Sequence, residues 1–274
     1  MLPAIGYSLR EENRPWVDEA AWDGVEIDFQ RANNPLRLTP YLEGSPFRYV
    51  SLHTLDLSVA SPEPPARSYL DALLTVAREN DAVAITDHLG FTHGKPGGVS
   101  IGHVTAPPYT SAALDAVCRN IDHIQRHFGD VAFYLENLAH FFVWRGERSE
   151  ADFFGQVLER TGCGLLLDVT NAYANDLNFG HDARAFLDSV IPRAGRMQMH
   201  LAGGFTDART GRYVDSHSQP IPEAVWELYR HALTLGRGKV DAVFIERDWN
   251  APDEDGWRHE VRQARRIALE VEVQ

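Results

Sequence analysis

Apolar residues along this chain gather into short, nearly continuous runs, and the stretches between them carry helical periodicity. Eight runs read as strands: AIGYS (4–8), GVEIDF (24–29), RYVSLH (48–53), AVAITDH (82–88), VAFYLE (131–136), GLLLDV (164–169), RMQMHL (196–201) and DAVFIE (241–246). Most stay apolar up to a polar end, as strands covered on both faces do. In SAALDAVCRNIDHIQRHFG the residues Leu114, Val117, Cys118, Ile121, Ile124 and Phe128 recur at helical spacing. SEADFFGQVLERTG has Ser149 as N-cap and Gly162 as stop. PEAVWELYRHALTLG repeats the pattern with Val225, Leu228, Ala232 and Leu235. The second unit is weakest, because NNPLRLTPYLEG carries two prolines and predicts only a short helical turn. Eight β/α units predict an α/β fold of the (β/α)8 TIM-barrel kind with right-handed crossovers. Such a barrel takes roughly 250 residues, so residues 1–274 are expected to form a single domain.

The polar ends of these runs carry the chemistry. Six consecutive strands deliver His53, His88, Glu136, Asp168, His200 and Glu246. In a closed parallel barrel all strand C-termini share one face, where active sites are built. Three imidazoles and three carboxylates buried at one mouth are costly without a partner, and a metal cluster is the partner that fits. A lone histidine at a strand end is more often a hydrogen-bonded core residue. Six in succession make that reading poor. Asp215 and His217 stand two apart in an extended stretch, which points both to one side. Asn171 follows Asp168 by three residues. Oxygen and imidazole donors without thiolate suit Fe(II), Mn(II) or Zn(II). Glu136, on the middle strand, is the candidate to bridge two ions about 3.5–4 Å apart.

Other polar residues carry a weaker claim. His123, His127, His140, His181, His231 and His259 fall on or beside helices, where solvent contact or capping accounts for them. Asn137 is expected to bond a neighbouring loop, and Arg247 and Asp248 to pair around Glu246. Arg10 could grip a substrate carboxylate in bidentate fashion or form a surface ion pair. Three long connections, 54–64, 89–110 and 202–219, follow strand ends. The middle one is glycine-rich, is read as a lid or binding loop, and holds His93 and His103 as minor substrate candidates.

Charge and cysteine usage narrow the partners. A formal net charge of −13 opposes nucleic acid, whose phosphates are met by Lys and Arg. Cys118 and Cys163 form no CxxC unit and read as buried, inert thiols. No apolar stretch approaches the roughly 20 residues of a membrane span, and the N-terminal apolar run is too short for a signal peptide. A cytoplasmic protein without membrane contact is expected.

With those residues in place, the chain resembles the multinuclear non-heme iron-dependent oxidative enzymes, the family of the methanobactin-biosynthesis oxidase. The resemblance runs through GYSLR, SLHTLDLSVAS, TDHLGF, APPYT, LENLAHF, LLLDVTNAYAN, MHLAGG, VDSHSQPI, VWELYRHAL and IERDWN, and so spans nearly the whole chain. It implies one iron on His53, His88 and Glu136, with Glu136 bridging to a second on Asp168, His200 and Glu246. Glu136, Asp168, His200 and Glu246 would then carry catalysis. A third iron would use Asp215, His217 and Asn171, where some relatives have histidine instead of asparagine. Gln30, Gly204 and Phe179 also depart from the family pattern, which bears on substrate rather than on the metal core. The resemblance further implies two or three irons in a mixed Fe(II)/Fe(III) state, with O2 as co-substrate. The substrate would be a ribosomally synthesised precursor peptide, modified at cysteine or at Asp/Asn near its C-terminal end. A separate leader-recognising partner protein is expected, since no appended domain is apparent.

Three rivals share parts of this ligand set. The order His, His, Glu, Asp, His, Asp-x-His, Glu also resembles the trinuclear zinc site of endonuclease IV, a hydrolase, but the acidic balance and Asn171 weigh against it. A divalent-metal sugar isomerase commonly places a lysine near its ions, and the two lysines here, Lys95 and Lys239, are poorly placed. The last is a non-catalytic, metal-dependent peptide-binding protein.

Overall fold

A computed structural model describes residues 2–10, 12–13, 22–32 and 47–273, in which eight parallel strands close into a barrel. The barrel strands are β1 (Ala4–Ser8), β2 (Gly24–Asp28), β3 (Tyr49–His53), β4 (Ala84–His88), β5 (Ala132–Glu136), β6 (Gly164–Asp168), β7 (Met197–Leu201) and β10 (Val240–Ile245). They pair in chain order, and β10 closes on β1. All eight expected strands are present, with ends displaced by no more than two residues. Between β7 and β10, β8 (Phe205–Thr206) and β9 (Tyr213–Val214) form a short antiparallel pair in the long connection above the mouth. The NNPLRLTPYLEG segment lies outside the described residues.

Helices α2 (Arg67–Glu79), α3 (Ser111–Phe128), α4 (Glu150–Thr161), α5 (Val169–Phe179), α6 (Ala183–Val190), α7 (Glu223–Leu235) and α8 (Glu254–Val273) cover the strands, with a short α1 (Phe29–Ala32) after β2. In α3 all six periodic residues are buried. Ser149 caps α4 by accepting from the Asp152 amide, and Gly162 ends it in the left-handed region. The buried face of α7 is rotated from the expected one. Val225, Trp226, Tyr229, Ala232 and Leu233 are buried, while Leu228 and Leu235 are only partly so. The bulky Trp226 and Tyr229 offer more apolar area than leucine and take the inner side. No helix among the described residues is long and apolar enough to cross a membrane.

Strand alternation sends one set of side chains outward to the helices and the other into the barrel. The floor of the interior is apolar, with Ala4, Ala242 and Phe244 on one side and Ala84, Tyr134 and Leu166 on the other. Two glycines make room for it. A Cβ at Gly164 would lie 2.2 Å from the Tyr134 ring, and one at Gly6 would lie 1.7 Å from the Gly24 carbonyl oxygen. A polar layer follows, in which Gln198 donates to Tyr49 Oη at 2.9 Å and accepts from Ser51 at 3.2 Å. Above it the inward positions are almost wholly ionisable.

Candidate metal centre

Strand register assembles the centre. His88 is paired with Glu136 across β4 and β5, and Asp168 with His200 across β6 and β7. His53, His88, Glu136 and Asp168 are each the last residue of their strands, β7 runs one residue past His200, and Glu246 directly follows β10. All six side chains meet at the mouth in two groups that share Glu136: His53, His88 and Glu136, and Glu136, Asp168, His200 and Glu246. Within each group one donor atom per residue lies within 4.8 Å of every other.

Glu136 divides its two oxygens between the groups. Oε2 faces His88 Nε2 at 3.2 Å and His53 Nε2 at 3.9 Å, while Oε1 faces His200 Nδ1 at 3.3 Å. That is the disposition a bridging carboxylate needs. His53 has its Nδ1 hydrogen-bonded to Thr86 Oγ1 at 2.7 Å, which leaves Nε2 to face the site. Asp168 caps α5: its Oδ1 accepts from the Asn171 amide at 2.7 Å. The other oxygen, Oδ2, is buried without a hydrogen-bond partner, and so is Asn171 Oδ1. Asn137 fixes this corner by exchanging two bonds with the Asp168 backbone, both 2.9 Å, and by accepting from Asn171 Nδ2 at 2.9 Å.

One carboxylate at the centre was not singled out from the sequence. Glu26, within β2 and fully buried, reaches across the barrel to His200 Nε2 at 2.9 Å. Its other oxygen accepts from Ser8 at 2.6 Å. His200 therefore has Nε2 held by Glu26, while Nδ1 faces Glu136 and Glu246 at 3.3 and 3.2 Å. A carboxylate behind a ligating imidazole fixes its tautomer and raises its basicity. The signal was present in the alternation Gly24, Glu26, Asp28 against Val25, Ile27, Phe29, which places an acid mid-strand on the inner face. Asp28 also lines the mouth.

Asp215 and His217 stand outside both groups, though they border them. His217 takes a left-handed backbone with φ of 49°, so the stretch is not the simple extended one expected. The bend turns its ring onto Asp215 at 3.1 Å, Glu246 at 3.4 Å and Asp248 at 3.3 Å. Arg10 is buried rather than at the surface. Its Nε and Nη2 donate to Asp248 Oδ1 at 3.0 and 2.8 Å, and Nη2 lies 3.8 Å from Glu246. Arg247 turns away from the mouth to pair with Glu260 of α8 at 2.5 Å. His93 is tied to Thr92 and Asp56, and His103 packs edge-on against Phe141. His127 and His231 pair with Asp71 and Asp188. His140 departs from the expectation of solvent or capping: it is buried and paired with Glu150 at 2.9 Å. Cys118 and Cys163 are buried and free, and burial pushes the Cys163 thiol up to about 12.

The electrostatics of the centre are those of a cation site. Burial disfavours charge on His88, but Glu136 and Asp87 outweigh it and hold the imidazolium up to about 9. Burial likewise opposes charge on His200 and His217, yet their carboxylates push both well above the usual histidine range. Burial would raise Glu246, but His200 and His217 hold it well below the usual carboxylate range. Asp168 moves the other way, raised by burial and by Asp215 and Glu136. The residues fit divalent ions: unpartnered oxygens at Asp168 and Asn171, a carboxylate split between two groups, and imidazoles oriented from behind.

A cavity of about 500 Å³ opens above the centre, lined among others by His53, His88, Glu136, Asn171, Asp215, His217 and Glu246. Asp168 and His200 lie beneath with no exposed surface.

The sequence matches a family profile described as RiPP precursor modification enzyme MbnB/TglH/ChrH over residues 36–269. It is 39% identical over 203 residues to a UPF0276 protein of Rhizorhabdus wittichii, covering 74% of this chain and 70% of that protein. A UPF0276 protein of Caulobacter vibrioides is 32% identical over 266 residues, covering 92% and 90% of the two chains. Solved structures of similar fold include D-psicose 3-epimerase from Clostridium cellulolyticum, at a TM-score of 0.61 and 12% identity, with 98% and 99% of the two chains covered. Endonuclease IV from Thermus thermophilus gives a TM-score of 0.56 at 18% identity, covering 98% and 99%. A xylose isomerase-like TIM-barrel protein from Mycobacterium smegmatis, in complex with magnesium, gives 0.58 at 13%, covering 98% and 96%. At such identities these structures speak to fold alone.

Proposed function

The chain belongs to the family of RiPP precursor modification enzymes MbnB/TglH/ChrH, and from that premise we propose that it is an iron-dependent, O2-using oxidase of a ribosomally synthesised peptide. The family acts on precursor peptides, so a peptide is the substrate class. The observation that carries the reading is Glu136, whose two oxygens face two separate donor groups. Two redox-active ions in those groups would supply the activation of O2 and an anchoring point for a peptide thiolate or carboxylate. His53, His88 and Glu136 would hold one ion, and Glu136, Asp168, His200 and Glu246 the other. Asn171, Asp215 and His217 would border a third position. Iron is preferred over zinc on the strength of the family resemblance, since imidazole and carboxylate accept both.

The protein's own residues do the rest. Glu26 orients His200, and Thr86 orients His53. Asn137 and Asn171 fix Asp168, while Arg10 and Asp248 brace Glu246 and His217. Asp168 and His200 are sealed from solvent, so a substrate entering the mouth would meet His53, His88, Glu136 and Glu246. Phe141, at the rim of the mouth cavity, begins an exposed apolar run after β5 that continues through Phe142, Val143 and Trp144. Such a run leading from a site's rim supports a polypeptide substrate over a sugar or a phosphodiester. A separate leader-recognising protein is part of the proposal.

The test is metal content and product together. Protein from iron-supplemented cells is compared with His53→Ala and Glu136→Ala, each co-produced with short peptides encoded beside the gene. Two or more irons per chain, lost in part or whole in the variants, and an O2-dependent mass change in a peptide are expected. Stoichiometric zinc that does not exchange with iron, with no peptide modified, would overturn the reading.

A further inference from the structure

A second donor cluster lies beside the mouth cavity, whose wall includes its member His140. His140 sits in the connection after β5, Glu150 opens α4, and His181 lies in the short link between α5 and α6. One donor atom from each lies within 4.8 Å of the other two. This cluster shares no residue with the two groups at the mouth.

Each member is held in place. The His140 amide donates to Asn175 Oδ1 at 2.8 Å, and Asn175 Nδ2 donates to the Leu138 carbonyl at 2.8 Å, which clamps the backbone around His140 to α5. Glu150 follows the Ser149 cap. His181 stands between Gly180, the left-handed end of α5 with φ of 68°, and Asp182, the N-cap of α6. His140 and Glu150 side chains retain 3% and 10% of their exposure and approach to 2.9 Å, with the Tyr109 hydroxyl 3.4 Å from the same His140 nitrogen.

A histidine–glutamate pair would be complete as an ion pair. A second imidazole converging on the same point adds nothing to that pair, but it completes a set of two imidazoles and one carboxylate. Metal bonds of about 2.0–2.2 Å place neighbouring donor atoms roughly 3–4 Å apart, so the cluster closes around an ion by side-chain adjustments of about an ångström. Glu150 and His181 also line a cavity of about 330 Å³ with Tyr109, Trp144 and Phe186, which leaves room for water or a small ligand on the open positions. Two histidines and one carboxylate with open positions suit a divalent first-row transition ion.

We propose that His140, Glu150 and His181 form a mononuclear divalent-metal site distinct from the two donor groups at the mouth. Filled, it ties the aromatic connection after β5 to α4 and to the α5–α6 link, and so steadies the rim of the mouth.

The test uses Co(II) alone, on the full chain stripped by chelator, with bound metal counted by mass spectrometry after desalting. Wild type is compared with His181→Ala and with Glu150→Gln, and circular dichroism checks that each is folded. Each variant is expected to hold one Co(II) fewer than wild type. In a His88→Ala/Glu136→Ala background, with both mouth groups broken, one Co(II) is expected to remain and to vanish when His181→Ala is added. Unchanged counts in both folded single variants would overturn the proposal. Should one variant unfold, the other and the mouth-broken background decide it. Loss of metal at the mouth alone bears on the proposed oxidase and leaves this count untouched.

Discussion

Replacing Glu26 with glutamine isolates the role of a residue that touches the centre only through another. Glu26 is buried, lies 2.9 Å from His200 Nε2 and accepts from Ser8 at 2.6 Å. Glutamine keeps the volume and an acceptor oxygen, so the barrel should fold with little loss, but it removes the charge that raises the basicity of Nδ1. Partners of this kind typically contribute about 10–100-fold to metal affinity, which is about 1.4–2.8 kcal/mol. The cleanest assay is competition between protein and a chromophoric chelator in a His53→Ala background, where only the group of Glu136, Asp168, His200 and Glu246 is intact. Glu26 is also one of the carboxylates that hold a proton on metal-free His200. That proton competes with metal, so removing Glu26 also relieves part of that competition, and the affinity loss should grow as pH rises and the competition fades. A loss under about twofold at the alkaline end of the titration would refute the orienting role, on the same scale of partner effects.

Four further outcomes follow from the geometry. His88 has a raised folded pKa of about 9 against an ordinary value of 6.5, so its contribution to metal-free stability is full below 6.5 and is lost as pH rises through 9. Denaturant titration of the metal-free chain should show a wild-type advantage over His88→Gln on the order of 3 kcal/mol at pH 6, vanishing by pH 10; a pH-independent difference would contradict it. The same protons must leave for metal to enter, so loading at pH 7.5 should acidify a weakly buffered solution containing a pH indicator dye. Asn137→Ala removes the two side-chain bonds to the Asp168 backbone and keeps the backbone carbonyl that accepts from Asn171. Leaving those buried groups unpaired should cost about 2–4 kcal/mol in urea unfolding. Gly164→Ala drives a Cβ to 2.2 Å from the Tyr134 ring, and the shift of a packed aromatic should cost about 1–3 kcal/mol by thermal melting.

The eight apolar runs, their order and their polar ends by themselves determined the barrel and its mouth, because strands buried on both faces leave a local signature and parallel closure leaves one place for their C-termini. Positions 53, 88, 136, 168, 200 and 246 were legible for the same reason: each is the point where an apolar run stops on a donor. Tertiary structure alone decided which donors share an ion, because grouping depends on register across strands far apart in the chain. Glu136 splits its oxygens only because His88 is its neighbour on β4 while His200 approaches from beyond β6. Glu26 was hidden inside an alternating strand, where an acid looks no different from a solvent-facing one until closure turns that face inward. Asp168 reads in sequence as a ligand or a helix cap, and the structure assigns one oxygen to the cap and leaves the other free for the centre. His140, Glu150 and His181 come from two connections and the start of α4 with no common spacing, and only the packing of α6 on α4 and on α5 brings them to one point. Local pattern reports what a segment buries; which distant side chains then face each other is set by how the segments pack.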